Sequence, residues 1–212
     1  MKALIIGATG ATGKDLVNVL LQDAFYSEVV IFVRRSAGIV HPKLKEIITD
    51  FDHLEKVAAQ ITGDLLFSCL GTTLKAAGSK DKQWHIDYEI PLQFARIAKQ
   101  NGVPGMVLLS SYGASATSRV FYSQLKGKLE DAIANLKFTS YIIFRPGLLL
   151  RKDTDRSGER ISAAVILFLN RLGIIKKFKP MPTDVLAEKM AKAVKGFSKG
   201  EKVVELEGIF SF

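Results

Sequence analysis

Apolar residues fall along this chain in two alternating rhythms. Continuous runs such as Leu4-Ile5-Ile6, Val29-Val30-Ile31-Phe32-Val33 and Met106-Val107-Leu108-Leu109 contain no polar alternation, as expected of parallel strands buried on both faces. Between the runs, apolar positions recur at helical spacing. Leu16, Val17, Leu20, Leu21 and Ala24 share one side of a helix over residues 14–25, because positions three and four apart are neighbours on a helix surface. The same reading places strands at residues 2–6, 29–33, 44–50, 64–70, 106–110, 140–145 and 202–206. Helical segments fall at 54–60, 84–101, 122–136 and 183–197, with Gly102 standing where a helix-ending glycine belongs. Strands that alternate with helices imply right-handed crossovers, and so predict an α/β, doubly wound parallel sheet with helices on both faces.

At 212 residues the chain fits one domain. Residues 1–150 form its core, and 151–212 are expected to make a short C-terminal cap on the substrate side of the cleft. Within that tail, residues 151–160 read as a charged loop and 161–172 as apolar on nearly every side. The apolar stretch falls short of the roughly 20 residues a spanning helix needs. We read it as a core helix or a subunit interface rather than a membrane-surface anchor backed by Lys176, Lys177 and Lys179. The 48% hydrophobic content suffices for a real core and excludes a disordered chain. A single cysteine, Cys69, excludes an intrachain disulfide and suits a reducing compartment. With a strand at the very N-terminus and no signal-peptide pattern, the expectation is a cytoplasmic protein.

The net charge of +9 fits nucleic acid, an anionic membrane or an anionic small molecule. No nucleic-acid motif accompanies it, and the aromatics are not interleaved with basic residues as stacking platforms, so no nucleic-acid partner is expected. A phosphorylated cofactor would use roughly two or three of those charges, which leaves an excess without an assigned partner.

Candidate chemistry sits where the strands end. In open parallel sheets ligands bind outside the carboxyl ends of the strands, and Gly7, Arg34, Asp50, Gly71 and Ser110 each close a predicted strand. Gly7, Gly10 and Gly13 are spaced G-x-x-G-x-x-G between the first strand and the first helix. A strand feeding a glycine turn that opens a helix presents unpaired N–H groups to a phosphate, although the middle glycine falls one place later than in the usual dinucleotide fingerprint. Arg34 and Arg35 follow the second strand where an acid would hold ribose hydroxyls, and arginine there accommodates a 2′-phosphate. Tyr122 and Lys126 are four apart and share one helix face. An ammonium near a phenol favours its phenolate. Ser110 and Ser111, just after the fifth strand, could bring a hydroxyl to the same substrate oxygen.

These residues carry a resemblance. The glycine spacing, the Ser110/Tyr122/Lys126 set and Arg145-Pro146-Gly147 look like the short-chain dehydrogenase/reductase superfamily in its atypical branch. Cys69-Leu70-Gly71-Thr72-Thr73, Leu108 through Ala114, Phe121-Tyr122 through Lys126-Gly127, and Phe144 through Gly147 resemble the Tat-interacting-protein oxidoreductase (metastasis-suppressor) family and its bacterial relatives. The resemblance implies a Rossmann-like fold, NADP(H) and a Ser/Tyr/Lys triad. Carried onto this chain, it puts Gly7, Thr9, Gly10, Ala11, Thr12 and Gly13 at the pyrophosphate and Arg34 and Arg35 at the 2′-phosphate. Asp50 and Phe51 fall at the adenine edge. Leu70, Gly71 and Thr72 line the cofactor ribose, with Ser111 and Pro146 nearby. Tyr122 is the acid or base, Lys126 its partner, and Ser110, ahead of Ser111, the third group.

The remaining candidates have plainer roles. His41, His53 and His85 show no metal spacing, so no metal is expected. Cys69, with nothing cationic beside it in sequence, reads as a small core residue. Trp84 and Asp87 read as helix-start packing and capping. The function expected is hydride transfer between NADP(H) and a small carbonyl or alcohol. A cofactor-sensing regulator with little turnover, or an epimerase or isomerase with tightly held cofactor, are the alternatives. Substrate and oligomeric state are left open.

Overall fold

The predicted strands assemble because each can bury both of its faces. In a computed structural model that describes residues 1–150, 180–196 and 199–211, strand β1 (Lys2–Ile6) sends Ala3 and Ile5 into one apolar cluster and Leu4 and Ile6 into the other. Strand β2 (Glu28–Val33) divides in the same way, with Val29, Ile31 and Val33 on one side and Val30 and Phe32 on the other. This two-sided burial is the physical reason for the missing polar alternation.

Along the chain, helix α1 (Ala11–Gln22) links β1 to β2, and β3 (Leu44–Ile48) is followed by a 3-10 helix (Leu54–Gln60) and β4 (Leu65–Ser68). Then come α2 (Leu74–Ala77), α3 (Lys80–Trp84), a π-helical turn (His85–Glu89) and α4 (Ile90–Gln100). Strand β5 (Gly105–Leu109), helix α5 (Phe121–Ala134) and strand β6 (Ser140–Arg145) complete the first 150 residues, apart from the two-residue β7 (Leu149–Leu150). The described tail adds β8 (Met181–Pro182), α6 (Thr183–Gly196), β9 (Gly200–Glu205) and α7 (Glu207–Phe210).

Seven strands form one parallel sheet in the order β3-β2-β1-β4-β5-β6-β9, and β7 pairs with β8 apart from it. The order runs outward in both directions from β1, so the crevice of the fold opens between β1 and β4, beyond Gly7 and Ser68. Helices α1 and α6 cover one face through Leu16, Leu20, Leu186 and Met190; α4, α5 and the 3-10 helix cover the other through Phe94, Leu129 and Leu54. The tyrosine hydroxyl of Tyr26 donates to the Ala191 carbonyl at 2.8 Å, and Thr183 Oγ1 donates to Asp15 at 2.6 Å, tying α6 to the first βαβ unit.

One local difference from the pattern has a clear cause. The single helix expected over 84–101 begins instead at Lys80, with Ser79 accepting from the Lys82 N–H, and widens into a π turn before α4. Pro91 has no N–H to return to the Asp87 carbonyl, and a π turn is one way a helix absorbs such a gap. The tail contributes a full strand and helix to the sandwich through β9 and α6. The charged loop and apolar stretch expected at 151–172, and the lysines at 176, 177 and 179, lie outside the described residues.

Candidate active site

The three glycines of the first turn do different physical work. Gly7 adopts φ +80° and lies so close to β4 that a side-chain carbon on it would sit 2.5 Å from the backbone of Cys69 and Leu70. A side-chain carbon on Gly13 would lie 2.0 Å from the Gly7 carbonyl oxygen, so α1 packs directly against the turn. Gly10 is less constrained; its N–H donates to the Gly7 carbonyl at 3.0 Å, and no side chain caps the helix it opens. The first N–H groups of α1 are thereby left free for an anion. This cradle, which a Cβ would fill, fits a dinucleotide pyrophosphate. Adding one methyl group at Gly13 should force turn and helix apart. Overpacking of this kind typically costs about 1–3 kcal/mol, so Gly13→Ala is expected to weaken dinucleotide binding on the order of tenfold or more. Fluorescence titration checks this, with the melting temperature recorded alongside to separate loss of the site from loss of the fold.

A cavity of about 680 Å³ opens at the carboxyl ends of β1, β4 and β5. Gly10, Ala11 and Thr12 line it from the helix start, and Leu70, Gly71 and Thr72 line it from the loop after β4. Ser110, Tyr122 and Lys126 line the opposite wall. Nine of the residues singled out from sequence thus meet in one place. The others lie around it. Gly7 and Gly13 form the turn beneath, and Thr9 is exposed beside it. Arg34 and Arg35 are exposed at the end of β2, with no partner among the described residues. The Asp50 carboxylate accepts from the Asp52 N–H at 3.1 Å, while Phe51 is buried in the same apolar cluster as Leu54. The Ser111 carbonyl accepts from Ala114, and the Pro146 carbonyl accepts from Tyr112, which anchors the loop after β5 to the end of β6.

Tyr122 is 38% exposed, and its phenol has no hydrogen-bond partner among the described residues. Lys126, one turn further along α5, is 2% exposed, with Nζ 5.8 Å from the centre of the Tyr122 ring. On its other side the ammonium faces Asp87 across Gly71; a side-chain carbon there would lie 3.5 Å from Lys126 Nζ and 3.9 Å from Asp87 Oδ2. Asp87 is fully buried. One of its oxygens accepts from the Thr72 N–H at 2.7 Å, and the other has no hydrogen-bond partner. Burial raises the Asp87 pKa, with Lys126 and the Thr72 N–H opposing the rise. Gln83, one turn earlier, donates to the Thr72 carbonyl at 3.2 Å, so both backbone groups of Thr72 are held. The capping role expected of Asp87 is therefore corrected: it lies inside the helical run and binds the cofactor-side loop. Trp84 does pack, stacking on Tyr88 at 4.6 Å between ring centres. Cys69 borders the cavity, and burial pushes its thiol up to about 12 despite Lys126, so it is held as a neutral thiol.

Ser110 is 5% exposed, and its hydroxyl donates to the Glu130 carboxylate on α5. Arg145, at the end of β6, grips the same carboxylate, with Nη2 2.6 Å from Oε2 and Nε 3.1 and 3.2 Å from the two oxygens. Its other arm reaches Glu205 on β9 at 3.1 Å. The two carboxylates raise the Arg145 pKa further, Glu130 contributing most. The serine proton is thus directed away from the cavity, and the Ser110 oxygen offers lone pairs to it. Glu130 was not among the residues chosen from sequence. Its signal is the spacing Tyr122, Lys126, Glu130, which puts a third polar group on the same helix face.

The sheet order, glycine cradle and cavity together define a dinucleotide-binding protein of the Rossmann kind. A family model described as NAD(P)H-binding matches residues 7–164, and the chain belongs to that family. It is 33% identical to the protein FMP52-1, mitochondrial, of Scheffersomyces stipitis, covering 96% of this chain and 93% of that one. It is 36% identical to the rat protein HTATIP2, over 73% of this chain and 66% of that one. A short-chain dehydrogenase/reductase superfamily protein from Agrobacterium tumefaciens, solved with bound NAD, shares the fold with a TM-score of 0.73 at 14% identity, over 97% of this chain and 77% of that one. One expectation is overturned: the FMP52 relatives are named mitochondrial, which conflicts with a cytoplasmic assignment.

Proposed function

We propose that this chain binds NADP(H) and transfers hydride to or from a small carbonyl or alcohol. The observation that carries the reading is the meeting of Tyr122, Lys126 and the glycine turn on one cavity. When bound, the cofactor supplies or takes up the hydride. Tyr122, at the cavity wall with no hydrogen-bond partner among the described residues, gives a proton to the carbonyl oxygen during reduction and removes it during oxidation. Lys126, with Nζ 5.8 Å from the Tyr122 ring centre, holds the cofactor ribose, while Asp87 keeps Lys126 and the Thr72 loop in place. Ser110 contributes an oriented oxygen rather than a free donor.

Preference for the 2′-phosphorylated cofactor rests on Arg34 and Arg35, two exposed guanidinium groups beside the end of β2 with no partner among the described residues. Hydrogen bonds to charged groups contribute about 1.5–3 kcal/mol each. NADPH is therefore expected to bind roughly tenfold to a hundredfold more tightly than NADH, and Arg34→Ala/Arg35→Ala to erase the difference. Equal affinity of the two cofactors for the unaltered protein, measured by competitive titration, would remove the NADP claim.

A further inference from the structure

The cavity has a second end that the cofactor cradle does not explain. Besides the glycine turn and the loop after β4, it is lined by Leu74, Lys80, Val120, Phe121 and Leu149. Leu74 and Val120 are 46% and 63% exposed, so the fold does not use their apolar surface. Val120 also occupies the N-cap of α5 and makes no side-chain cap bond, at a position where Ser, Thr, Asp or Asn is strongly preferred. An apolar residue that breaks a local rule at the mouth of a cavity points to selection for what enters it.

Lys80 is the one charged side chain at this end. Its ammonium lies 5.4 Å from the centre of the Phe121 ring, a cation–π contact that holds it at the mouth. Among the described residues no carboxylate pairs with it, and none that lines the cavity is acidic. Asp81, next along the chain, is not on the wall, and the buried Asp87 faces Lys126 behind Gly71. The cavity therefore offers two cations. Lys126 is matched by Asp87 and by its part in the proposed chemistry, and Lys80 has no acidic partner among the described residues. The net charge of +9 reinforces attraction of an anion to this opening.

We propose that the outer half of the cavity is a substrate pocket for an amphipathic carboxylate-bearing aldehyde or ketone. Its carboxylate pairs with Lys80, its apolar body lies on Leu74, Val120 and Phe121, and its carbonyl reaches Tyr122. The assignment rests on the hydride-transfer reading for the last of these contacts only. Reduction then adds hydride to the carbonyl carbon and the Tyr122 proton to its oxygen, converting NADPH to NADP+ and leaving the carboxylate unchanged.

Calorimetric titration with and without NADP+ tests the pocket, with 4-(hydroxymethyl)benzoate and the neutral 4-methylbenzyl alcohol as probes. The acid is expected to bind at least about tenfold more tightly, to lose affinity between low and high salt as an exposed ion pair does, and to lose its advantage over the neutral probe in Lys80→Met. Equal affinity of the two probes, no binding of either, or an advantage that survives Lys80→Met overturns the assignment. Weaker NADPH binding by Lys80→Met would place the lysine on the cofactor and overturn it too. Turnover of 4-carboxybenzaldehyde by NADPH is followed in parallel. Lys80-dependent binding without any turnover would defeat the hydride-transfer reading and leave the anion-binding pocket standing.

Discussion

Tyr122→Phe should lower NADPH-dependent carbonyl reduction by roughly a hundredfold to ten-thousandfold, the range general acid–base catalysis supplies. The loss should appear in kcat rather than KM, because the phenol proton matters only as the substrate oxygen gains charge. The structure also predicts what should not change. Tyr122 is 38% exposed, and its phenol bonds to no described residue, so removing one oxygen leaves no buried group orphaned and the melting temperature should hold. Folding and cofactor binding are then separated from chemistry in a single variant. Lys126→Met is the contrast. Lys126 is 2% exposed and faces the unpartnered oxygen of Asp87. Its loss strands a buried carboxylate beside the Thr72 loop, and should weaken cofactor binding as well as turnover. Equal turnover by Tyr122→Phe and the unaltered protein would show that the proton comes from elsewhere.

What the sequence revealed of this arrangement follows from which forces act locally. Strands such as Val29-Val30-Ile31-Phe32-Val33 announce two-sided burial because every side chain must be apolar, and β2 indeed feeds both clusters. The glycine turn was legible because its steric demands fall on neighbouring positions: Gly7 and Gly13 meet each other across one turn. Tyr122 and Lys126 were legible through helix periodicity. Asp87 was not. The polar group it satisfies is a backbone N–H fifteen residues away on another element, and the π turn before Pro91 alters the helical register that would have placed it. The same limit applies to Ser110. Its position after β5 marked it as a cavity residue, but the direction of its proton is set by Glu130, twenty residues on. Pairings of two residues, like β7 with β8, carry too few side chains to leave a pattern at all.

That serine–glutamate contact leads to the second large effect. Glu130 is 4% exposed and receives Ser110 and Arg145, the latter through two nitrogens. Removing one member of a buried ion pair typically costs about 3–5 kcal/mol, because the other charge is left uncompensated. Arg145 keeps Glu205 and has some access to water, so Glu130→Ala should fall near the lower end, about 3 kcal/mol. Urea unfolding should show this as a lower midpoint at unchanged slope. Glu130→Gln retains an acceptor for the serine but not the charge, and should cost less than the alanine variant. A double-mutant cycle then isolates the serine: Ser110→Ala should destabilise the unaltered protein and do almost nothing in the Glu130→Ala background. Additive effects would mean that the two residues act separately. Coupled effects would show that the Ser110 proton belongs to Glu130, which leaves Tyr122 as the group that must donate to the substrate oxygen.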